Sequence, residues 1–337
     1  MYTREHYPLR QVLAWTRRDI YWLFGIATVP TLLHTLAGWH WMWLPWVPIA
    51  LIGTSAAFTA GFRNNATYAR LWEARQIFGA IVTSSRAWGL MVRDLVRPDG
   101  QCSEAEAAAA HARLIHRHIA WLTALRYQLR QPRVWESMQA KANAEYRERF
   151  YRVEEQSGDI AAVLAPWLSA EEHARVLGTS NRAAQLLALQ GEDISRLRSI
   201  GAVEANAHVA LEQLLVALLS SQGGCERIKN FPYPRQFASI SLFFVRLFVY
   251  ALPFGMLGEF AKLGPYAVWL VIPLSVIVGW IFVVLDTIGQ ASENPFEGSA
   301  NDVPITALSR TIEIDLREML GDRDLPPPLT PVNNILM

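Results

Sequence analysis

Thr54, Phe58 and Phe62 recur at i, i+4 and i+8, so on a helix they stack along one face. Between them lie Ser55, Ala56, Ala57, Thr59, Ala60 and Gly61, small enough for helix backbones to approach closely inside a membrane. Two readings of this file are open. On a pore-lining helix, phenyl groups oppose ions through the cost of shedding hydration and can gate by dewetting. Equally, a Phe pair packs an ordinary bundle core. Phenyl edges carry partial positive charge and faces partial negative charge, so edge-on rings favour anions and face-on rings cations.

Other residue types that do chemistry are scattered. His111, His116 and His118 fall on one helical pattern, but His116 lies roughly 140° from His111 at about 100° per residue. No H-E-x-x-H spacing is present, and the three read as solvated histidines beside arginines. Cys102 and Cys225 stand far apart with no partner at metal-ligand spacing, which suits a reducing compartment and leaves no expected metal. Nucleophile elbows, glycine-rich phosphate loops and dinucleotide fingerprints are absent, so neither an enzyme nor a cofactor is expected. A net charge of +1 without a basic tail argues against nucleic acid as a partner.

The elements that would carry these residues follow from the hydropathy pattern. The apolar fraction is 52% with 13 Trp, yet mean hydropathy is only +0.14, so a polar middle must offset apolar ends. The run from Ile20 to Trp39 is too long for a cleavable signal and lacks a small-residue cleavage site, so it reads as a retained span that Pro30 should kink. Trp39, Trp41, Trp43 and Trp46 suit an interfacial belt around a short turn, and a second span follows to about Phe62. Arg17, Arg18, Arg63 and Arg70 flank this hairpin while its turn has no charge, which puts the N-terminus and the region after Phe62 in the cytoplasm.

The middle of the chain is helical in composition. Breaks are expected at Asp99-Gly100, at Ser157-Gly158-Asp159, before a capping box at Ser169 to Glu172, at Gly201 and at Gly223-Gly224, giving four or five helices. After Pro232 and Pro234 a second hairpin crosses twice and returns the C-terminus to the cytoplasm. Arg246 lies inside its first span, where a charge costs at least ~2.5 kcal/mol. It is expected to serve an ion path, or to clamp onto backbone carbonyls or Asp286. The resulting division is residues 1–18 cytoplasmic, 19–68 first hairpin, 69–234 cytoplasmic helices, 235–286 second hairpin and 287–337 cytoplasmic tail.

Two segments carry a specific resemblance. GFRNNATYARLWEARQIFGAIVTSSRAWG (Gly61 to Gly89) and ENPFEGSANDVPI (Glu293 to Ile305) resemble the bacterial branch of the bestrophin family. GGCERIKNFPYP, ALPFG and the closing RTIEIDLREMLG support it, so the resemblance spans nearly the whole chain. It implies an all-α membrane protein with four transmembrane helices and a helical cytoplasmic region. It also implies a barrel-like homopentamer, copies of this chain being the partners, around one pore in the inner membrane. The matching motif residues are Arg63, Asn64, Asn65, Arg70, Glu73, Asn294, Pro295 and Phe296.

By the same resemblance Thr54, Phe58 and Phe62 form the pore neck, with Val203 or Asn206 at a cytoplasmic aperture. The implied function is a channel for small monovalent ions, with chloride or other anions slightly favoured and cations also possible. The other reading is a non-conducting scaffold or carrier whose cytoplasmic helices bind a partner. Animal members follow NPF with an acidic run that clasps Ca²⁺, whereas this chain offers only Glu297 and Asp302. Hard cations want six to eight oxygens, so calcium gating is not expected. The small face from Gly53 to Gly61, and a tail face of Ile312, Leu316, Met319 and Leu320, are both expected to pack on neighbouring copies.

Overall fold

The computed structural model describes all 337 residues and contains thirteen α-helices, with isolated β-bridges only at the termini. The membrane block opens with α1 (Leu9–Trp15), α2 (Arg17–Thr35) and α3 (Trp46–Leu95), and closes with α11 (Arg235–Ala261) and α12 (Val271–Ala291). Between them run α4 (Glu104–Arg130), α5 (Lys141–Phe150), α6 (Glu154–Ser157), α7 (Ile160–Leu164), α8 (Ala170–Leu177), α9 (Arg182–Ser199) and α10 (Ala205–Asn230), and α13 (Ile305–Leu320) follows. Three helices, α3, α11 and α12, are long and apolar enough to cross a membrane. The fourth expected span, α2, has 19 residues but opens with Arg17, Arg18 and Asp19, and the helix runs through Pro30.

The two hairpins pack as one bundle because glycine lets the backbones meet. A Cβ at Gly53 would lie 2.6 Å from Phe248 Cε2 of α11, and one at Gly255 would lie 2.5 Å from Ile49 Cδ1 of α3. Across the other pair, a Cβ at Gly279 of α12 would lie 2.8 Å from Leu23 Cδ2 of α2. Leu23, Ile49, Ala56, Val245, Phe248, Val249 and Leu252 form the buried centre of this bundle. The small-residue face of α3 is therefore divided: Gly53, Ala56 and Ala60 serve the subunit's own core, while Ala57 and Gly61 stay exposed.

Helix α3 continues far past the expected boundary at 68/69, through 50 residues without a break. At ~1.5 Å per residue it is about 75 Å long, more than twice the ~30 Å hydrocarbon layer. Nothing after Gly61 until Gly79 is Gly or Pro, so no local signal ends it. Its C-terminal half packs with α4, α10 and α13 around a second, larger core. Several expected breaks hold. Ser103 caps α4, Asp159 caps α7, and Ser169 with Glu172 forms the capping box of α8.

Gly100 and Gly201 both adopt positive φ, +63° and +82°, and their turns pack back to back. The expected break at Gly223-Gly224 does not occur, since α10 runs on to Asn230. Gly224 instead admits Ile77 of α3, whose Cδ1 would lie 3.0 Å from an added Cβ. The tail helix α13 lies on α3 and α4 of its own subunit, with Ile312 and Leu316 fully buried there rather than held out for a neighbour. Both termini join that subunit too: Leu336 N–H donates to Met1 O at 2.9 Å, and Ala307 N–H to Met337 O at 2.7 Å.

The histidines of α4 are half-buried or buried, because α4 runs through the centre of the larger core with Leu114 to Leu125 almost entirely covered. His118 is fully buried between Trp88 and Trp121 and shares a 2.9 Å hydrogen bond with Ser85 Oγ. His111 bonds Val96 O at 2.8 Å, and His116 sets its ring against Trp167. Burial lowers the pKa of His118 to about 3, against 6.5 for the free side chain. The unfolded chain therefore takes up this proton first, so the contribution is complete above about pH 6.5 and is lost as pH falls below it. At pH 5 the loss should be about 2 kcal/mol per subunit. Thermal midpoints recorded between pH 7 and 5 should fall in the native protein and fall less in His118→Gln.

Candidate functional site: an exposed phenyl file on a clamped helix

Two opposite stripes run along α3. One, through Gly53, Ala56, Ala60, Arg63, Thr67, Leu71, Ala74 and Phe78, is buried in the subunit. The other carries Leu51, Thr54, Phe58, Phe62, Asn65, Tyr68 and Trp72 and is open. Phe58 is 66% exposed and Phe62 58%, an unusual state for phenyl rings with small neighbours on every side. The bundle-core reading of the pair is thus absent within one subunit. The two rings meet edge to face, centroids 4.3 Å apart and planes at 84°, so an edge of one addresses the face of the other.

Hydroxyls along this helix are turned to the backbone. Thr54 Oγ1 donates to Ala50 O at 2.9 Å, Ser55 Oγ to Leu51 O at 2.9 Å and Thr59 Oγ1 to Ser55 O at 3.0 Å. Thr54 therefore has no free O–H to offer a passing anion, and its exposed atoms are a methyl group and acceptor lone pairs. That leaves the Thr54 level less polar than its hydroxyl implies.

All the motif residues but Asn65 lie behind the file and hold it. Arg63 follows Phe58 by five residues, about 140° around the helix, and so points into the subunit. It is 5% exposed, with Nη1 at 2.9 Å from Asp286 Oδ1 and Nη2 at 3.3 Å from Glu293 Oε2. Asp286 also accepts from Ser241 Oγ at 3.1 Å, so one carboxylate ties α3, α11 and α12 together. Asn64 Nδ2 donates to Leu285 O at 3.1 Å, and Gly289 is the close neighbour of its Oδ1, where a side chain would collide.

Lower down, Arg70 Nε donates to Glu293 O at 2.8 Å and its Nη2 reaches Ile228 O and Phe231 O. Glu73 pairs with Arg227 at 2.5 Å, and Arg235 with Glu293 at 2.8 Å. Asn65 stays on the open face. Asn294 is buried and donates to Glu297, Pro295 O accepts from Val303 N, and Phe296 tilts onto Phe78 of α3 at 5.9 Å.

This clamp changes the expectation for Arg246. Asp286 belongs to Arg63, and Arg246 stays exposed on α11 with no ion pair inside the subunit. The partners Asp286, Glu293 and Arg235 were the less visible members of the site. Their signal is the angular offset of Arg63 from the phenyl file, which demands an internal acid, yet only the three-dimensional packing chooses which.

Of the aperture candidates, Val203 is 2% exposed. The backbone bonds from Arg97 N to Ala202 O and from Gln101 N to Ile200 O, both 2.9 Å, draw that turn into the core. Asn206 stands exposed in the first turn of α10, with Val209 and Val216 on the same open face. Glu297 and Asp302 are both buried and already engaged. Glu297 accepts from Ser137 N at 2.9 Å and Ser137 Oγ at 2.6 Å. Asp302 accepts from Gly298 N at 2.7 Å and Ser299 N at 3.0 Å and pairs with Arg130 at 3.3 Å. Burial, with Asp302 close by, raises the pKa of Glu297 to about 8.

Comparison with known proteins gives the family and the fold. The chain is similar to the Escherichia coli K12 voltage-dependent anion channel-forming protein YneE, 28% identical over 348 residues that cover 97% of this chain and 96% of that protein. It is 28% identical to the voltage-dependent anion channel-forming protein RSc3414 of Ralstonia nicotianae, with 96% of each covered. In fold it matches the crystal structure of a bacterial bestrophin homologue from Klebsiella pneumoniae, with a TM-score of 0.75, 24% identity, and 91% of this chain and 99% of that chain covered. The family model described as bacterial/fungal bestrophin protein matches residues 11–318, and the chain belongs to that family.

Proposed function

We propose that this protein is a membrane ion channel, a homopentamer in which five copies of the open face of α3 surround one pore. Phe58 and Phe62 then form two apolar rings, Thr54 the outer ring, and Asn206 is the aperture residue. The observation that carries this reading is the exposure of both phenyl rings on a helix whose opposite face is fully used inside the subunit. Such rings impose a dehydration cost on ions and can gate by dewetting. Anions are the favoured cargo, in keeping with relatives named as anion channel-forming proteins.

The protein sits in the inner membrane with α2, the first half of α3, α11 and α12 as spans and both termini cytoplasmic, following its arginine distribution. Purified protein in planar bilayers should give unitary currents with a reversal potential that follows the chloride gradient. Silent bilayers containing correctly folded protein would favour the scaffold instead.

Calcium should have no part in gating. Glu297 and Asp302 already accept from Ser137, Gly298, Ser299 and Arg130, so neither has the free oxygens a hard cation requires. Open probability should be the same in chelator and in millimolar calcium, and a steep micromolar response would refute this. Assembly rests on Ala57, the exposed small residue beside Phe58. Ala57→Leu should lower the pentamer fraction seen by native mass spectrometry, whereas Ala60→Leu, at a position buried within the subunit, should lower folded yield first.

A further inference from the structure

Beneath the membrane bundle, a cavity of about 290 Å³ lies between α1, α5, the cytoplasmic end of α12 and the turn at residues 299–301. Its wall is largely aromatic and aliphatic, with Tyr7, Trp15, Tyr146 and Tyr151 from the cytoplasmic side and Val284 and Ile288 from α12. Ring handles are already satisfied where they matter: Trp15 Nε1 donates to Asn143 Oδ1 at 3.0 Å and Tyr7 OH to Asn301 Oδ1 at 3.0 Å. What remains facing the space is mostly ring surface and hydrocarbon, with Gln11 among the few polar residues of the wall.

Three observations identify an occupant. First, Ile288 at the cavity wall is itself exposed on α12, a helix apolar enough to cross a membrane, so the space is continuous with a lipid-facing surface. Second, Arg17 and Arg18 follow Trp15 with only Thr16 between and share one partner, Glu145, which stands between the lining residues Asn143 and Tyr146 on α5. Two guanidinium groups on one carboxylate leave a positive charge at the rim, where a cytoplasmic leaflet presents anionic headgroups. Third, Gln11 lines the cavity with a buried side-chain oxygen that has no donor, a gap that a hydroxyl-bearing ligand fills.

We propose that this cavity is a binding site for an anionic, hydroxylated phospholipid of the cytoplasmic leaflet, phosphatidylglycerol in chemistry. One acyl chain enters between the aromatic rings and α12, and the phosphate lies on Arg17 and Arg18. Val284 and Ile288 flank Asp286, the partner of Arg63, so the lipid would brace the segment of α12 that holds the pore helix. Binding of this kind needs the membrane placement proposed above but not conduction, so a silent protein that still takes the lipid separates the two.

The test uses the full chain reconstituted in phosphatidylcholine vesicles containing 30% phosphatidylglycerol, with either lipid brominated on its acyl chains. The Trp15 emission is isolated as the difference between native protein and Trp15→Phe. Brominated phosphatidylglycerol should quench that component at least twofold more than brominated phosphatidylcholine. Arg17→Gln with Arg18→Gln should abolish the preference, and Ala300→Phe, which fills the cavity, should abolish the quenching. Ile288→Gln alters only the exposed mouth and should weaken quenching even if Ala300→Phe folds poorly. No quenching of Trp15, equal quenching by both lipids, or quenching unchanged in both cavity variants (a ring merely near the bilayer) would each overturn the proposal.

Discussion

The double variant Phe58→Ala, Phe62→Ala should conduct severalfold more current per channel than the native protein, with each single variant in between. The expectation rests on where the rings are. Both are more than half exposed in the subunit, so truncating them removes little of its core. What is lost inside the subunit is one edge-to-face pair, worth about 0.5–1.5 kcal/mol. In the proposed pentamer the change falls on the width and dryness of two rings, and a dewetting barrier depends steeply on both. Unitary currents and open probability in planar bilayers, recorded beside pentamer fraction, give the answer. A double variant that assembles normally and conducts like the native protein would place the constriction elsewhere.

The largest effect on stability should come from Arg63→Ala. This removes the only cation that Asp286 has, and one of two that Glu293 has, from an environment where both carboxylates are buried. Breaking a buried ion pair by deleting one partner costs about 3–5 kcal/mol, because the remaining charge is left without compensation. Folded yield in mild detergent should collapse. Arg63→Met combined with Asp286→Asn should recover part of it, since the second change takes away the stranded charge and Asn can still bond Ser241. A double variant no better than Arg63→Ala alone would mean that Asp286 is not the counter-charge.

Local features of this fold were legible in the sequence, and non-local ones were not. The capping box at Ser169 to Glu172 and the turns at Gly100 and Gly201 rest on interactions spanning a few residues, and they stand as expected. The phenyl file was readable for the same reason, since helical periodicity alone puts Phe58 and Phe62 on one face. Misreadings arose where tertiary packing decides. Gly223 and Gly224 looked like a helix end, but Gly224 serves a close crossing with Ile77. His118 looked like one of several polar residues on an alanine-rich helix, but that helix is the centre of its layer. Arg246 was the cation expected at Asp286, and the packing of α3 against α12 makes Arg63 the partner instead.

The uninterrupted length of α3 has a mechanical consequence. A bend in its middle would have to break several of its backbone hydrogen bonds, each worth about 0.5–1.5 kcal/mol, with no proline beyond Pro48 of the first turn and no π-bulge to ease it. Rolling about its own long axis breaks none of these, and works instead against the Arg63 clamp to Asp286 and Glu293. A roll of ~20° carries a side-chain tip ~5 Å off the axis through roughly 2 Å, comparable with the radius of a small ion's passage. Phe58 and Phe62 share one stripe with Tyr68 and Trp72 further down, so the helix is a camshaft whose lobes turn together. A torque applied at the C-terminal end of α3, tens of ångströms from the phenyl rings, would swing them in step with it.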